Sequence, residues 1–231
     1  MTDANQDLNV LVTGANRGIG LALVRAWAEA GVRVIATARR PWEADALTKP
    51  AARVEALDVT QPASVAQLAD NLAGEAIDLL VHNAGILVND RIGDVDPADV
   101  LKQLDVNAVG PLRVSLALRP HLQAAAKAGR VPRVVFISSV MGSLAENTEG
   151  GWYGYRSSKA AANAVMRNLH ADLDPWPVVA LHPGYVQTRL TGGAGHITPE
   201  TSAADLVKLI DRIDASMSGG FFDRFGEPIP W

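Results

Sequence analysis

The chain has 231 residues, of which 48% are hydrophobic and 20% are charged, and its formal net charge is −4 at pH 7. This size can bury the core of one α/β domain, so we expect a single domain over residues 1–231, and the small negative charge does not favour nucleic acid as a partner. The absence of cysteine excludes disulfides, thiolate nucleophiles and cysteine-ligated zinc.

The chain begins with the polar stretch MTDANQD, which lacks the charged-then-apolar profile of a secretion signal. No apolar run approaches the ~20 residues that are needed to span a bilayer. We therefore expect a cytoplasmic protein that does not bind a membrane.

Short apolar runs predict seven β-strands along the chain. Most of the runs are nearly continuous rather than alternating in polarity, which is typical of strands that helices cover on both faces. The predicted strands are residues 10–12, 32–36, 54–57, 79–82, 134–137, 178–181 and 221–222.

Apolar residues at helical spacing predict helices between most of these strands. Alternation of strand and helix favours the α/β class, with a seven-stranded, mostly parallel sheet, right-handed crossovers and helices on both faces. The predicted helices are residues 19–30, 63–73, 97–107, 111–128, 155–173 and 201–213.

A glycine-rich turn follows the first strand. The segment TGANRGIG places Gly14, Gly18 and Gly20 between that strand and the first helix. Glycine lets the backbone take positive φ and lets a ligand approach it, while the free amides of the new helix face the ligand. This arrangement favours the binding of a phosphate group.

Two arginines follow the second strand in the segment ATARRP, where the adenosine ribose of a dinucleotide would lie. A carboxylate at this place would repel a 2′-phosphate, whereas arginine pairs with it through two hydrogen bonds. The chain has Ala38 where the acid is expected, then Arg39 and Arg40, and Arg17 adds a further cation. The pattern favours NADP(H) over NAD(H).

Tyr155 and Lys159 are four residues apart on a predicted helix and share a face. An ammonium near a phenol lowers its pKa by ~1 to 3 units from ~10, which makes proton transfer near neutral pH practicable. Tyr153 is the alternative, but Ser157 stands four residues after it, so Tyr153 lacks the activating cation.

Taken together, these motifs resemble the short-chain dehydrogenase/reductase family with a Tyr-x-x-x-Lys active site, and the resemblance covers essentially the whole chain. It implies a single-domain Rossmann fold. The features ARRP, GGWYGYRSSK and GEPIPW are similar to the branch of carbonyl reductases and C-signal-type proteins. The motifs are TGANRGIG (13–20), LDV (57–59), HNAG (82–85), Asn107, ISS (137–139), YRSSK (155–159) and PGYVQT (183–188).

The resemblance implies four catalytic residues. Tyr155 is expected to give a proton to the carbonyl oxygen as hydride reaches the carbon, and Ser139 to hold that oxygen. Lys159 is expected to bind the nicotinamide ribose as well, and Asn107 to support a proton relay through water.

Ser138 and Ser143 are alternatives to Ser139. We prefer Ser139 because it is the second serine of the family pattern ISSxxG, which Gly142 completes here.

The expected cofactor contacts come from the glycine turn, the arginines and the resemblance. The expected contacts are Gly14, Asn16, Arg17, Gly18, Ile19, Gly20, Arg39, Asp58, Val59, Asn83, Ala84, Gly85, Tyr155, Lys159, Pro183, Gly184, Val186 and Thr188.

The histidines give no sign of a metal site. His82 stands where family members commonly have an asparagine at the start of the HNAG motif. The five histidines form no spaced ligand pair, so we expect no metal site.

The leading hypothesis is an NADP(H)-dependent oxidoreductase that acts on a small carbonyl or alcohol. The alternative is a signalling or regulatory protein that binds NADP(H) with little turnover. We expect a homodimer through the helices near residues 97–128 and 155–173, as in family members. The segment 188–202 is short and rich in glycine, which predicts a fairly open and mobile site entrance.

Overall fold

The computed structural model describes residues 8–231. The polar stretch of residues 1–7, where no secretion signal is expected, lies outside the described residues. Seven strands form one sheet in which every neighbouring pair runs parallel. The strands are β1 (Asn9–Val12), β2 (Arg33–Ala38), β3 (Arg53–Ala56), β4 (Leu79–His82), β5 (Arg133–Ile137), β6 (Val178–His182) and β7 (Phe221–Asp223).

The strand order is β3-β2-β1-β4-β5-β6-β7. From β1 the chain adds β2 and then β3 on one side of β1, and it then crosses to β4 on the other side of β1. The connections that follow β1 and β4 therefore run in opposite directions along the sheet. This reversal leaves a crevice at the carboxyl ends of β1 and β4. The predicted α/β Rossmann fold is confirmed.

Two apolar layers cover the faces of the sheet, and β1 shows how the sequence divides between them. Val10 and Val12 pack in the layer that contains Leu23 of the first helix, whereas Leu11 packs in the opposite layer with Leu118. Each fully buried leucine contributes about 1.5–3 kcal/mol to folding relative to an exposed one. Continuous apolar strands are therefore stable only with helices on both faces.

Six helices connect the strands, and most lie within a few residues of their predicted bounds. The structure joins two predicted helices into one, because a π-turn at Asp105–Val109 links α3 directly to α4. No helix within residues 8–231 is long and apolar enough to cross a membrane. The helices are α1 (Gly18–Glu29), α2 (Pro62–Asn71), α3 (Pro97–Leu104), α4 (Gly110–Lys127), α5 (Tyr153–Asp172) and α6 (Pro199–Ile210).

Candidate active site

The glycine turn after β1 packs directly against the segment after β4. Gly14 has a φ of +65°, and a Cβ atom there would lie 2.7 Å from Cα of Ala84. Thr13 holds the two segments together, since its Oγ1 accepts hydrogen bonds from the backbone amides of Asn83 (3.0 Å) and Ala84 (3.1 Å). Only glycine fits this approach without strain.

Asn83 supports the turn from behind. Its Nδ2 donates to the carbonyl oxygens of Thr13 (3.0 Å) and Gly14 (2.9 Å). A Cβ atom at Gly20 would collide with this same amide nitrogen. The side chain of Asn83 therefore fixes the shape of the turn, and the backbone of the turn is left to line the crevice.

The amino end of α1 is open to a ligand. The N-cap residue Arg17 has extended backbone and makes no side-chain capping bond, and both it and Asn16 are exposed. Thr188, in the segment after β6, lies beside this end, since its Cγ2 is 3.4 Å from the position of a Cβ on Gly18. Amides at a helix start that lack an acceptor attract anions.

The two arginines after β2 differ in their contacts. Arg40 forms an exposed ion pair with Glu43 at 3.0 Å. Arg39 is also exposed and forms no ion pair within residues 8–231. The guanidinium of Arg39 is therefore available to an external anion, whereas that of Arg40 already has a carboxylate partner.

Tyr155, Lys159 and Ser139 are buried together, each less than a tenth exposed. Lys159 donates from Nζ to the carbonyl oxygen of Ile137 at 2.8 Å, and the nitrogen lies 5.7 Å from the centre of the Tyr155 ring. A Cβ atom on Gly85 would lie 3.9 Å from this ammonium. The ammonium is thus adjacent to the segment that packs on the glycine turn.

Burial sets the pKa values of this pair. It raises the pKa of Tyr155 to about 12, although a side-chain hydrogen bond with Ser139 acts in the opposite direction. It also lowers the pKa of Lys159 to about 8. The expectation that Lys159 lowers the pKa of Tyr155 is wrong for this structure. The ammonium is hydrogen-bonded to a carbonyl oxygen, and desolvation of the phenolate is the largest cause of the shift in the Tyr155 pKa.

The π-turn positions Asn107, which is 2% exposed. Its Nδ2 donates to the Ile86 carbonyl oxygen and to Ser158 Oγ, each at 2.9 Å, and its Oδ1 accepts from the Ile86 amide at 2.9 Å. Ser158 in turn donates to the carbonyl oxygen of Tyr155 at 2.8 Å. Asn107 therefore joins α4 to the segment after β4 and to the helix that carries Tyr155.

The competing residues have other partners. Ser138 donates to Asn163 Oδ1 at 2.6 Å, and Ser143 donates to the Pro230 carbonyl oxygen at 2.6 Å. Ser139 Oγ accepts from the nearby Met141 amide at 3.2 Å, and its other side-chain hydrogen bond is the one with Tyr155. Tyr153 is 41% exposed, in contrast to the buried Tyr155. The geometry thus favours Ser139 and Tyr155 over their alternatives.

The remaining expected contacts lie on the same edge of the sheet. Asp58 Oδ1 accepts from the amide (3.0 Å) and the hydroxyl (2.7 Å) of Thr60, so this carboxylate already stabilises its own turn. Val59 is buried against Gly110 at the start of α4. The other residues follow β6 or begin α1, and they are Ile19, Pro183, Gly184 and Val186.

Comparison with known proteins identifies the family. The family model described as short chain dehydrogenase matches residues 8–196. The chain belongs to the short-chain dehydrogenase family. Its 1-hydroxy-2-glutathionyl-2-methyl-3-butene dehydrogenase relative from Rhodococcus sp. (strain AD45) is 40% identical, with 96% of this chain and 99% of the relative covered.

Two further similarities place this short-chain dehydrogenase among its relatives. The C-signal protein of Myxococcus xanthus is 41% identical, over 71% of this chain and 98% of the relative. The crystal structure of NADPH-bound carbonyl reductase from chicken fatty liver is 31% identical with a TM-score of 0.89, and the match covers 96% of this chain and 98% of that one. The expected branch is therefore confirmed.

His82 has a structural environment in this short-chain dehydrogenase. It is buried, its Nε2 lies 2.8 Å from Ser115 Oγ, and its ring packs on Phe136 at 4.7 Å between centroids. Burial lowers its pKa to about 3, so the ring is neutral at physiological pH. Within residues 8–231, no group of three or more His, Asp or Glu residues is placed to hold a metal ion.

The sequence reasoning missed two buried residues next to the site, Asp90 and Gln103. Asp90 accepts hydrogen bonds from the first amides of α5, and Gln103 Oε1 accepts from the Val88 amide at 2.9 Å. Both contacts join segments that are far apart along the chain. No spacing rule identifies such partners, although an acidic residue close after HNAG is a weak signal.

Proposed function

We propose that this short-chain dehydrogenase transfers a hydride between NADP(H) and a small carbonyl or alcohol, with Tyr155 as the general acid and base. One observation supports the proposal above all others. Gly85 is next to Ala84, which packs on the glycine turn, and a Cβ atom on Gly85 would lie 3.3 Å from Asn107 Oδ1 and 3.9 Å from Lys159 Nζ. The buried tyrosine and lysine therefore adjoin the crevice in which a dinucleotide would bind.

The chain offers suitable groups for the parts of the cofactor. The open amino end of α1 suits the pyrophosphate, and the unpaired guanidinium of Arg39 suits a 2′-phosphate. Lys159 would bind the nicotinamide ribose, and Thr188 with the segment from Pro183 would line the nicotinamide end. The bound cofactor supplies or accepts the hydride.

Tyr155 would transfer the proton. With a pKa of about 12 the phenol keeps its proton at neutral pH, which is the state that carbonyl reduction requires. Ser139 would orient the carbonyl oxygen towards this hydroxyl. Asn107, fixed by Ile86 and Ser158, would then support the return of a proton from water.

The decisive experiment compares two tyrosine variants. NADPH oxidation is followed with aldehydes, ketones and diketones, and NADP⁺ reduction with alcohols that include a glutathionyl-substituted one. We expect Tyr155→Phe to lower kcat by at least about 100-fold with little change in the Kd for NADPH. Tyr153→Phe, at the exposed neighbour, is expected to retain wild-type turnover. Full activity of Tyr155→Phe would refute the proposal.

The choice of NADP(H) is tested on the two neighbouring arginines. Arg39→Ala is expected to raise the Kd for NADPH by about 10-fold, because it removes a charge-assisted pair, and to leave the Kd for NADH unchanged. Arg40→Ala is the matched control, since Arg40 already pairs with Glu43. Equal losses of NADPH and NADH affinity on Arg39→Ala would contradict this assignment.

The proposed enzyme is a cytoplasmic homodimer. Helices α3 and α4 expose Leu101 (67%) and Leu116 (61%), and Val109 lies between them in sequence at 39% exposure. These are the helices through which family members are expected to pair. Light scattering is expected to give twice the monomer mass, and Leu116→Glu to reduce it.

The alternative of a binding protein without turnover is disfavoured, because such a protein has no chemical need for Tyr155 and Lys159.

A further inference from the structure

Asp90 lies outside the proposed catalytic set but contacts the helix that carries Tyr155. Its Oδ1 accepts from the Tyr153 amide at 2.5 Å and its Oδ2 from the Gly154 amide at 3.2 Å. Its own carbonyl oxygen accepts from the Trp152 amide at 2.9 Å. Asp90 is only 4% exposed, so these amides are the main polar surroundings of its carboxylate.

Helix α5 has no cap from its own sequence. The three residues before it, Gly150, Gly151 and Trp152, all have positive φ, and the N-cap Trp152 makes no side-chain capping bond. Left-handed backbone is strained for tryptophan, so it persists only where other contacts hold it. Asp90 supplies those contacts through the amides, and the guanidinium of Arg91 stacks on the Trp152 ring at 3.7 Å.

The segment that contains Asp90 also fixes the other side of the site. Ile86 is hydrogen-bonded to Asn107 through both its amide and its carbonyl oxygen, and the Val88 amide donates to Gln103. Gln103 packs against Gly154, where any Cβ atom would collide with its amide nitrogen. The segment 83–91 therefore connects the glycine turn, the π-turn and the first turn of α5.

We infer that Asp90 is a positioning residue that holds the first turn of α5, and with it Tyr155, in register with the cofactor crevice. This inference rests on the proposed function. Tyr155 is the third residue of the helix, and a carboxylate at a helix start also interacts favourably with the positive end of the helix dipole. Loss of Asp90 would leave the part-buried Tyr153 amide and the buried Gly154 amide without this acceptor and would release the turn.

The test compares Asp90→Asn and Asp90→Ala with Thr198→Ala. Asparagine keeps one acceptor oxygen and alanine keeps none, so we expect kcat to decrease in the order wild type, Asp90→Asn, Asp90→Ala. A shift of about 1 Å in a catalytic group costs on the order of 100-fold, which sets the scale for Asp90→Ala. The Kd for NADPH is expected to stay within about twofold, because α1 and Arg39 are untouched.

Thr198→Ala is the control for loss of a helix cap. Thr198 caps α6 by accepting from the Thr201 amide at 3.2 Å, and α6 carries none of the proposed catalytic residues. We expect this variant to lower Tm but to retain kcat. If kcat falls equally in the Asp90 and Thr198 variants, or if Asp90→Asn keeps wild-type kcat, Asp90 does not position Tyr155.

Hydrogen exchange gives a readout that does not depend on turnover. We expect faster exchange of the amides at 153–156 in Asp90→Asn and unchanged exchange there in Thr198→Ala. Unchanged exchange in Asp90→Asn would overturn the inference. If the wild-type protein turns over no substrate, the proposed function fails, whereas the exchange result still decides whether Asp90 holds α5. Asp90→Asn decides alone if Asp90→Ala does not fold.

Discussion

Lys159 keeps its ammonium inside the protein, 2.8 Å from the carbonyl oxygen of Ile137, and burial lowers its pKa to about 8. Below this pH Lys159 carries the positive charge with which, in the proposed function, it binds a ribose hydroxyl. Above it the amine is neutral and this interaction is weakened. Lys159 therefore makes the proposed activity sensitive to mildly alkaline pH.

We expect kcat/KM for NADPH, which reports titration of the free enzyme, to be constant between pH 6 and 7.5 and to fall above about pH 8. Lys159→Arg keeps its charge at all these pH values, so its profile should lose the inflection even though its activity is lower. A wild-type profile that stays flat to pH 10 would show that this ammonium is not required.

The adjacent residues Ser138 and Ser139 are expected to have different roles, one in stability and the other in catalysis. Ser139→Ala is expected to lower kcat by about 100-fold, as for loss of a donor to a developing oxyanion, and to keep Tm. Ser138→Ala is expected to retain kcat but to lose about 1–3 kcal/mol in the free energy of unfolding, because Asn163 loses a buried donor. Denaturant unfolding and steady-state assays measure the two effects. The reverse pattern would reassign the roles.

At this scale the sequence predicts residues that occur in continuous motifs. Tyr155, Lys159 and Ser139 follow from spacing and resemblance, and the structure buries them together. The pKa of Tyr155 could not be predicted in the same way, because its direction depends on desolvation by the folded chain. The role of Asp90 could not be predicted either, because its hydrogen-bond partners Tyr153 and Gly154 are 63 and 64 residues away in the sequence.

At the scale of elements, the turn between β1 and α1 depends on close approach between two backbones. Gly14→Ala would introduce both a strained φ and a Cβ atom 2.7 Å from Cα of Ala84. Gly31→Ala is the matched control, since Gly31 has a similar φ of +79° but no neighbour within 4 Å.

We expect Gly14→Ala to lose about 1–3 kcal/mol more in the free energy of unfolding than Gly31→Ala, because only Gly14→Ala overpacks the turn. It should also raise the Kd for NADPH by at least about 10-fold. Chemical denaturation and fluorescence titration measure these quantities. Equal destabilisation by the two variants would mean that the contact with Ala84 is easily relieved.

The strands were the most predictable elements, because their apolar runs are continuous and short. Helix ends were less predictable. Helix α5 begins at Tyr153, two residues before its predicted start, because its first amides are satisfied by Asp90 from another segment. The join of α3 to α4 was also missed, since nothing in the local sequence distinguishes a π-turn from a break.

At the scale of the whole molecule, the buried His82 and the half-buried His182 couple the fold to pH. Burial lowers the pKa of His82 to about 3 and that of His182 to about 4. The unfolded chain binds a proton at each histidine below about pH 6.5, whereas the folded chain does not. Stability is therefore lost as the pH falls from about 6.5 towards 4.

We expect each histidine to lower the free energy of unfolding by about 2 kcal/mol between pH 7 and pH 5. His82→Asn should flatten this dependence, because asparagine offers Ser115 a polar partner and does not titrate. Thermal melts from pH 5 to 7.5 measure the effect. His196→Asn, at an exposed loop position, is the control that should keep the wild-type slope. Identical slopes for wild type and His82→Asn would rule out this coupling.

The overall topology could be predicted because strand and helix alternate along the whole chain, and parallel strands admit few connections. The crevice at the carboxyl ends of β1 and β4 follows from the same rule. The formation of a dimer does not follow from this rule, because exposed apolar side chains such as Leu101 and Leu116 do not identify the surface that would bind them.

The π-turn at Asp105–Val109 has a consequence for how this chain tolerates change in length. Removing Asp105 or Val106 would restore regular helix spacing but would rotate Asn107 by about 100° relative to the start of α3. The carboxamide would then face away from Ile86. We expect single-codon deletions in this interval to be far more harmful than deletions in surface loops, and a deletion scan would map the boundary residue by residue.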